Sequence, residues 1–395
     1  MDLTPKSELV SRVGALQSWM QGSSVDAVFV FQNVDLFYFS GTMQTGLLCL
    51  PASGDPIYMV QKSLSRAHRE SPWERLLPFP GMRKLSEGLA GEGIHNLRRV
   101  GIETDVLPTD YYLRLTEIFR GIEFIDASEA IRRIRMRKSD FEAAQMRHAS
   151  RMLRSAFDKL PQWIRIGVTE LKVMAQLEGY LRSIGHQGIV RMRGFNNQIG
   201  FGTLSSGASA AYPTSFPGPV GSVGLYAAAP GGAGMRKIGR GDPVIADIVG
   251  GYAGYLSDKT RTYVIGDLAS DMADAHRFVL DLNREMESML KPGVLCSRIY
   301  RRALELAGES PYASGFMGIG DGQVRFVGHG IGLELDEMPI LAGGFDIALE
   351  PGMTIAVEPK IFFPERGGVG VENTYLINAS GYEKLTEYPE DVVHI

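Results

Sequence analysis

The chain has 395 residues, 44% hydrophobic and 22% charged, which is ordinary for a globular protein and long enough for two domains with sizeable cores. Its 41 basic and 45 acidic residues leave a formal charge of -4, which excludes a general electrostatic pull toward nucleic acid or an anionic membrane. Two cysteines in apolar contexts, Cys49 and Cys296, make neither a disulfide framework nor a thiolate cluster, and the first residues, MDLTPKSELV, lack a basic stretch leading into an apolar one, so a reducing, cytoplasmic setting is expected.

From the N-terminus, Val10, Val13, Leu16 and Met20 predict a helical stripe over residues 7–21. Val25–Phe31, Leu47–Leu50 and Ile57–Val60 predict strands, with the turn Pro51–Pro56 between the last two. Arg99–Ile102 and Glu123–Ile125 are short strand candidates around a helical Tyr111–Phe119. This alternation predicts a compact α/β domain over residues 1–130. It has no G-x-G-x-x-G fingerprint, so its expected task is structural or substrate-shaping.

The basic run Arg132–Lys138 reads as a solvated helix face leading into a linker rather than a nucleic-acid patch. Ser139-Asp-Phe-Glu142 has capping-box form and opens a helix whose Phe141, Ala144, Met152 and Phe157 point to a core, so a second domain, 138–395, is expected to begin there. Further helices are predicted over Glu170–Ile184, Ala273–Leu290 and Ser297–Ala307. Residues 202–237, rich in Gly, Ala, Ser and Pro, read as one long loop of the kind that is more often functional than idle.

The stretch Gly241–Gly266 reads as a β-hairpin, with Val244–Val249 and Tyr263–Ile265 around a Gly-Gly-Tyr-Ala-Gly turn. Asp247 interrupts an otherwise buried-looking run, and Asp258 follows on the returning strand. Such acids either cap turns and pair with Arg261, or they gather cations, and this stretch alone leaves both readings open. Three later segments repeat the anomaly. His329 sits between glycines in Phe326–Gly332, Glu358 ends the β-branched run Thr354–Val357, and Glu372 lies inside Gly370–Ile377. Four carboxylates in one cavity call for about four positive charges, which two divalent ions supply, and an oxygen-rich set with one imidazole suits Mn, Co, Fe or Zn. Bridging carboxylates can hold such ions ~3.5–4 Å apart around an activated water.

With D-I-V-G-G-Y, Y-L-S-D-K-T-R-T, G-H-G-I-G-L, E-P and V-E-N-T in order, and Asn33–Gly41 upstream, nearly the whole chain resembles the creatinase / aminopeptidase P / prolidase family of metallopeptidases. The resemblance implies an α/β creatinase-like N-terminal domain followed by an α+β "pita-bread" catalytic domain, a short peptide or small amide as substrate, and a homodimer. In it Asp247 chelates one metal, Asp258 and Glu372 bridge both, and His329 and Glu358 bind the second. Manganese is the first expectation, and Glu358 also handles the proton of the attacking water.

Four departures qualify this. Where the family carries a histidine after the A-x-P element, the chain has Thr214, and where it carries one seven residues after the metal-binding histidine, the chain has Asp336. Those histidines hold the substrate carbonyl, whereas Thr214 donates one hydrogen bond and an ionised Asp336 only accepts. The arginine usually two residues before the last ligand is Gly370, and extra Gly-rich sequence at 215–234 precedes the hairpin. The leading expectation is therefore an Xaa-Pro peptidase-type dimetal hydrolase, with Thr214 and Asp336 at the substrate. A C–N or C–S bond-cleaving relative and a non-catalytic binding protein are the alternatives.

Overall fold

A computed structural model describes residues 3–395. The chain forms two compact units, Met1–Arg135 and Met136–Ile395. No helix among the described residues is long and apolar enough to cross a membrane.

The first unit is built on strands β1 (Ala27–Val30), β2 (Gly46–Pro51), β3 (Ile57–Val60), β4 (Leu76–Pro78), β5 (Arg99–Ile102) and β6 (Glu123–Asp126), in the order β4-β3-β2-β1-β5-β6. The central β1, β2 and β3 are buried throughout, which is why they read as continuous apolar runs rather than alternating ones. The first helix, Lys6–Ser23, buries Leu9, Val13, Leu16 and Met20 and leaves Val10 half exposed. Leu9 lies four residues before Val13, on the same face, so it takes the place expected of Val10. The basic run also departs from expectation. Its helix spans Ser128–Met136, and Arg135 turns inward to Asp35 at 2.7 Å, with both side chains buried.

In the second unit the capping box is present: Ser139 Oγ accepts from Glu142 N at 3.2 Å and Glu142 Oε2 from Ser139 N at 3.0 Å. The helix Asp140–Phe157 buries Ala143 and Met146, whereas Ala144 is exposed, one position off the predicted stripe. Helices Glu170–Ser183, Ser270–Met289 and Cys296–Gly308 follow close to their expected places. Between and after them lie β7 (Gly202–Ser206), β8 (Pro243–Tyr252), β9 (Tyr255–Val264), β10 (Phe326–Gly330), β11 (Glu337–Ala342), β12 (Thr354–Val357), β13 (Lys360–Phe363), β14 (Gly367–Gly370), β15 (Glu372–Ile377), β16 (Tyr382–Lys384) and β17 (Val393–His394).

The main sheet runs β11-β10-β12-β15-β9-β8-β7, with β16 on β15 and β17 on β9, while β13 and β14 form a separate hairpin. Two apolar cores flank it, one carrying Ala275, Val279 and Ile299 of the helices Ser270–Met289 and Cys296–Gly308, the other Leu153, Phe157 and Leu177 of Asp140–Phe157 and Glu170–Ser183. The expected loop 202–237 begins as a strand, because Thr203, Ser205 and Ser206 are polar yet pair in full register with β8. Its far end is held by buried Glu170, whose carboxylate accepts from Ser206 N, Ser206 Oγ, Ser209 Oγ and Gly234 N at 2.6–3.3 Å.

His186 closes the loop after Glu170–Ser183. Its Nδ1 accepts from Gly188 N at 2.9 Å and its Nε2 lies 3.1 Å from Val249 O, which fixes the neutral ring with the proton on Nε2. Burial pulls its pKa down to about 4. The unfolded chain, titrating near 6.5, therefore binds a proton between pH 6.5 and 4 that the native ring refuses. Full stability is present above pH 6.5 and is lost as pH falls, by up to about 3 kcal/mol from this group. We expect His186→Gln to flatten the fall of the unfolding midpoint over that interval. Parallel curves for mutant and wild type would refute the assignment.

Candidate metal centre

The hairpin of β8 and β9 turns on two residues, Ala253 and Gly254, at φ 50° and 94°, the positive pair that a tight hairpin requires. The turn sets the register, and the register gathers the acids. Asp247 lies opposite Thr260, and Thr260 in turn lies opposite Glu372 of β15. His329 lies opposite Ala356, and Ala356 opposite Thr374. Asp258, Glu358 and Glu372 stand two residues from Thr260, Ala356 and Thr374, so side-chain alternation brings all five candidates to one face of the sheet. The returning strand is longer than its apolar content suggests, since the polar run Ser257–Thr262 is wholly buried.

Two sets of ligand atoms converge within 4.8 Å: Asp258, His329 and Glu372, and Asp247, Glu358 and Glu372. Glu372 belongs to both, as a bridging ligand would. Glu358 groups here with Asp247, although its Oε1 also lies 3.7 Å from His329 Nε2. His329 Nδ1 is 3.0 Å from the carbonyls of Gly330 and Leu335, so it carries the proton and leaves the Nε2 lone pair facing Glu358 and Glu372. Glu372 Oε1 is buried without a hydrogen-bond partner, an orphaned acceptor aimed into the cluster. The donor set and the orphaned oxygen fit divalent cations.

The electrostatics agree. Burial raises Asp258 well above the ordinary carboxylate range, and the charges of Glu372 and Asp247 add to it. Burial likewise lifts Asp247, to about 6, against the pull of Lys360. For His329 burial opposes the charged form, but Asp336, Glu358 and Glu372 outweigh it and the pKa rises. Arg261 does not relieve Asp258. It donates instead to the carbonyls of Thr260, Glu372, Tyr388 and Pro389 and to Asn373 Oδ1, at 2.6–3.0 Å.

The five residues line a small cavity with Phe216, Val220 and Asp336, and Asp336 Oδ1 lies 3.6 Å from His329 Nδ1. Ile199, Thr203, Phe216, Pro217 and Val220 are shared with an adjoining cavity of about 650 Å³ walled by the Gly-rich segment. Thr214 lines the larger cavity, not the smaller, and its Oγ1 accepts from Phe216 N at 3.1 Å. Lys360 escaped the sequence reading. It is fully buried and reaches Glu358, Glu372 and Asp247. The signal was there, a cation in the apolar run after Glu358-Pro359, of the same kind that exposed the acids.

A family model for the Creatinase/Prolidase N-terminal domain matches residues 12–137, and one for metallopeptidase family M24 matches 144–379. The chain is similar to the Xaa-Pro dipeptidase of Pyrococcus furiosus, at 28% identity over 97% of this chain and 99% of that one. It also resembles the probable dipeptidase PepE of Mycobacterium tuberculosis, at 27% over 88% and 84%. Among solved structures, the Xaa-Pro dipeptidase from Bacillus anthracis superposes with TM-score 0.83 at 24% identity over 98% of this chain and all of that one. The prolidase from Pyrococcus horikoshii gives 0.81 at 25%, over 97% and 100%. The α/β creatinase-type domain followed by a pita-bread catalytic domain is thus present in full. With the larger part of its length matched, this chain belongs to metallopeptidase family M24.

Proposed function

We propose that the chain is a dinuclear-metal peptidase that cleaves short peptides of the Xaa-Pro type, with residues 138–395 carrying catalysis and residues 1–130 a structural or substrate-shaping task. One observation carries the reading: five side chains able to bind metal, from β8, β9, β10, β15 and the residue just after β12, converge, with Glu372 common to both groups. The relatives, an Xaa-Pro dipeptidase and a probable dipeptidase, point the same way.

Asp247, Asp258, His329, Glu358 and Glu372 would hold the ions, manganese first and Co, Zn or Fe as alternatives. Such ions, when bound, make water a nucleophile near neutral pH and polarise a carbonyl. The chain's own groups do the rest. His329 presents Nε2 because its Nδ1 proton is committed to backbone carbonyls. Burial raises the Glu358 carboxyl, against the pull of Lys360 and His329, which suits a group that takes a proton from water and returns it to the leaving amine. Phe216 and Val220 give the small cavity apolar wall and line the cavity of about 650 Å³ beside it, which has room for a dipeptide.

A second reading, C–N or C–S cleavage of a non-peptide substrate, is favoured by Asp336, an acceptor where a carbonyl-binding donor is needed. Non-catalytic binding is disfavoured by the intact ligand set. Elemental analysis of protein reconstituted with Mn, Co or Zn is expected to find close to two ions per chain, and finding none would remove the basis of the proposal. Turnover of Xaa-Pro dipeptides against other small amides then separates the two enzymatic readings. We further propose a cytoplasmic homodimer, and light scattering that finds only monomer at micromolar concentration would refute the assembly.

A further inference from the structure

Lys360 opens β13 two residues after Glu358, and its side chain is 0% exposed. Its Nζ lies 2.5 Å from Glu358 Oε2, 3.1 Å from Glu372 Oε2 and 3.4 Å from Asp247 Oδ2. An ammonium has three protons to donate; here it donates to Glu358 and Glu372 and stands within ion-pair distance of Asp247. These are the three acids that converge as one of the two ligand groups. Lys360 is not part of the wall of the small cavity, so a substrate lying there meets the carboxylates and not the amine.

The partner of Lys360 across the β13–β14 hairpin is Gly370. A Cβ at 370 would stand 2.4 Å from Lys360 Cγ and 2.9 Å from its Cβ. Gly370 has no positive φ, so glycine there is explained by the lysine lying over it and not by the backbone. The hairpin therefore accommodates one long cationic side chain at this level. It comes from 360 here, where the family resemblance implies an arginine at 370.

We propose that Lys360 is the resident cation of the metal centre, a positioning residue that holds Asp247, Glu358 and Glu372 converged before any metal ion arrives. Three carboxylates this close repel one another, and each would turn outward, or break the sheet register, without a charge between them. An ammonium fixed by its own strand supplies that charge at no cost in captured solute. The metal ions then complete a site whose geometry is already set, which limits the reorganisation that loading requires. This inference rests on the metal-centre reading above.

The test compares unfolding midpoints of chelator-stripped and Mn(II)-loaded protein. For Lys360→Met we expect the stripped midpoint to fall by roughly 5–10 °C and the loaded midpoint by less than half of that. The metal-induced rise would then be larger in the mutant than in the wild type. A lysine that merely fills the core would lower both midpoints equally, and that result overturns the proposal. The reciprocal exchange guards against a variant that simply fails to fold. Lys360→Gly combined with Gly370→Arg returns a cation from the facing strand and is expected to recover at least half of the stripped midpoint lost by Lys360→Gly alone. A double variant no better than the single one overturns the proposal as well. A wild type whose midpoint is moved by none of Mn, Co or Zn refutes the metal reading itself, a result distinct from the other two.

Discussion

Glu372→Gln and Asp258→Asn are each expected to abolish stable metal loading and to lower kcat/KM by about 10³-fold or more, the scale of removing an activated nucleophile together with its electrophile. Glu372 serves both converging ligand groups, so its loss is not confined to one ion. The same substitutions should leave the metal-free fold intact or more stable. Burial lifts the Asp258 carboxyl and its neighbouring acids lift it further, so a neutral amide in its place removes repulsion within the cluster. Glu372→Gln leaves Lys360 paired with Glu358 and Asp247. Loss of metal with a stripped midpoint equal to or above that of the wild type separates a ligand from a structural acid. Glu337 is the control. It is a buried acid paired with Lys138 at 2.7 Å and outside the small cavity, so Glu337→Gln should cost stability while leaving metal content near normal. Metal retained by Glu372→Gln at wild-type stoichiometry would refute the assignment.

The acids were legible in the sequence because a strand with one buried face advertises its exceptions. Asp247, Glu358 and Glu372 each stand where Val or Ile would otherwise stand, and the two-residue turn at Ala253–Gly254 is signalled by its glycines. What could not be read was register across strands distant in sequence. The hairpin turn sets Asp247 opposite Thr260, but that Thr260 meets Glu372, and that Ala356 links His329 to Thr374, depends on pairings no local pattern encodes. The polar run Ser257–Thr262 was underestimated for a related reason. Its hydroxyls and its guanidinium are satisfied by Ser150 of the helix Asp140–Phe157, by β14 and β15 and by the segment at 388–389, so a stretch that reads as surface is core. Lys360 was missed because a cation in an apolar run invites the thought of a snorkelling surface side chain, and only the facing Gly370 leaves room for it to turn inward. Arg135 misled in the same way, as one member of a basic run whose partner, Asp35, lies a hundred residues earlier.

The second large effect concerns the two positions where family histidines are replaced. Asp336 lines the small cavity beside His329, whereas Thr214 lines the larger one and spends its hydroxyl on Phe216 N. The two are therefore unequal. Asp336→His places a donor at the wall beside the proposed metal ligands, and we expect it to raise kcat/KM for a neutral Xaa-Pro dipeptide by about 10²-fold, the lower end of what one oxyanion donor contributes. Thr214→His alone should do less, since the backbone around Phe216 must give up its present turn first. The double change should exceed either single one if both rings reach one carbonyl. Asp336 carries an opposite consequence for charged substrates. Burial raises its carboxyl against the pull of His329, and in its ionised form it accepts from an amine or guanidinium. The wild type should accordingly prefer a dipeptide with a cationic N-terminal side chain, and Asp336→His should lose that preference while gaining on neutral substrates. Rates for Lys-Pro, Arg-Pro and Ala-Pro across the four proteins decide the matter. Rapid wild-type turnover of Ala-Pro, unimproved by either histidine, would mean that the carbonyl is held by other groups and that Asp336 has no part in choosing the substrate.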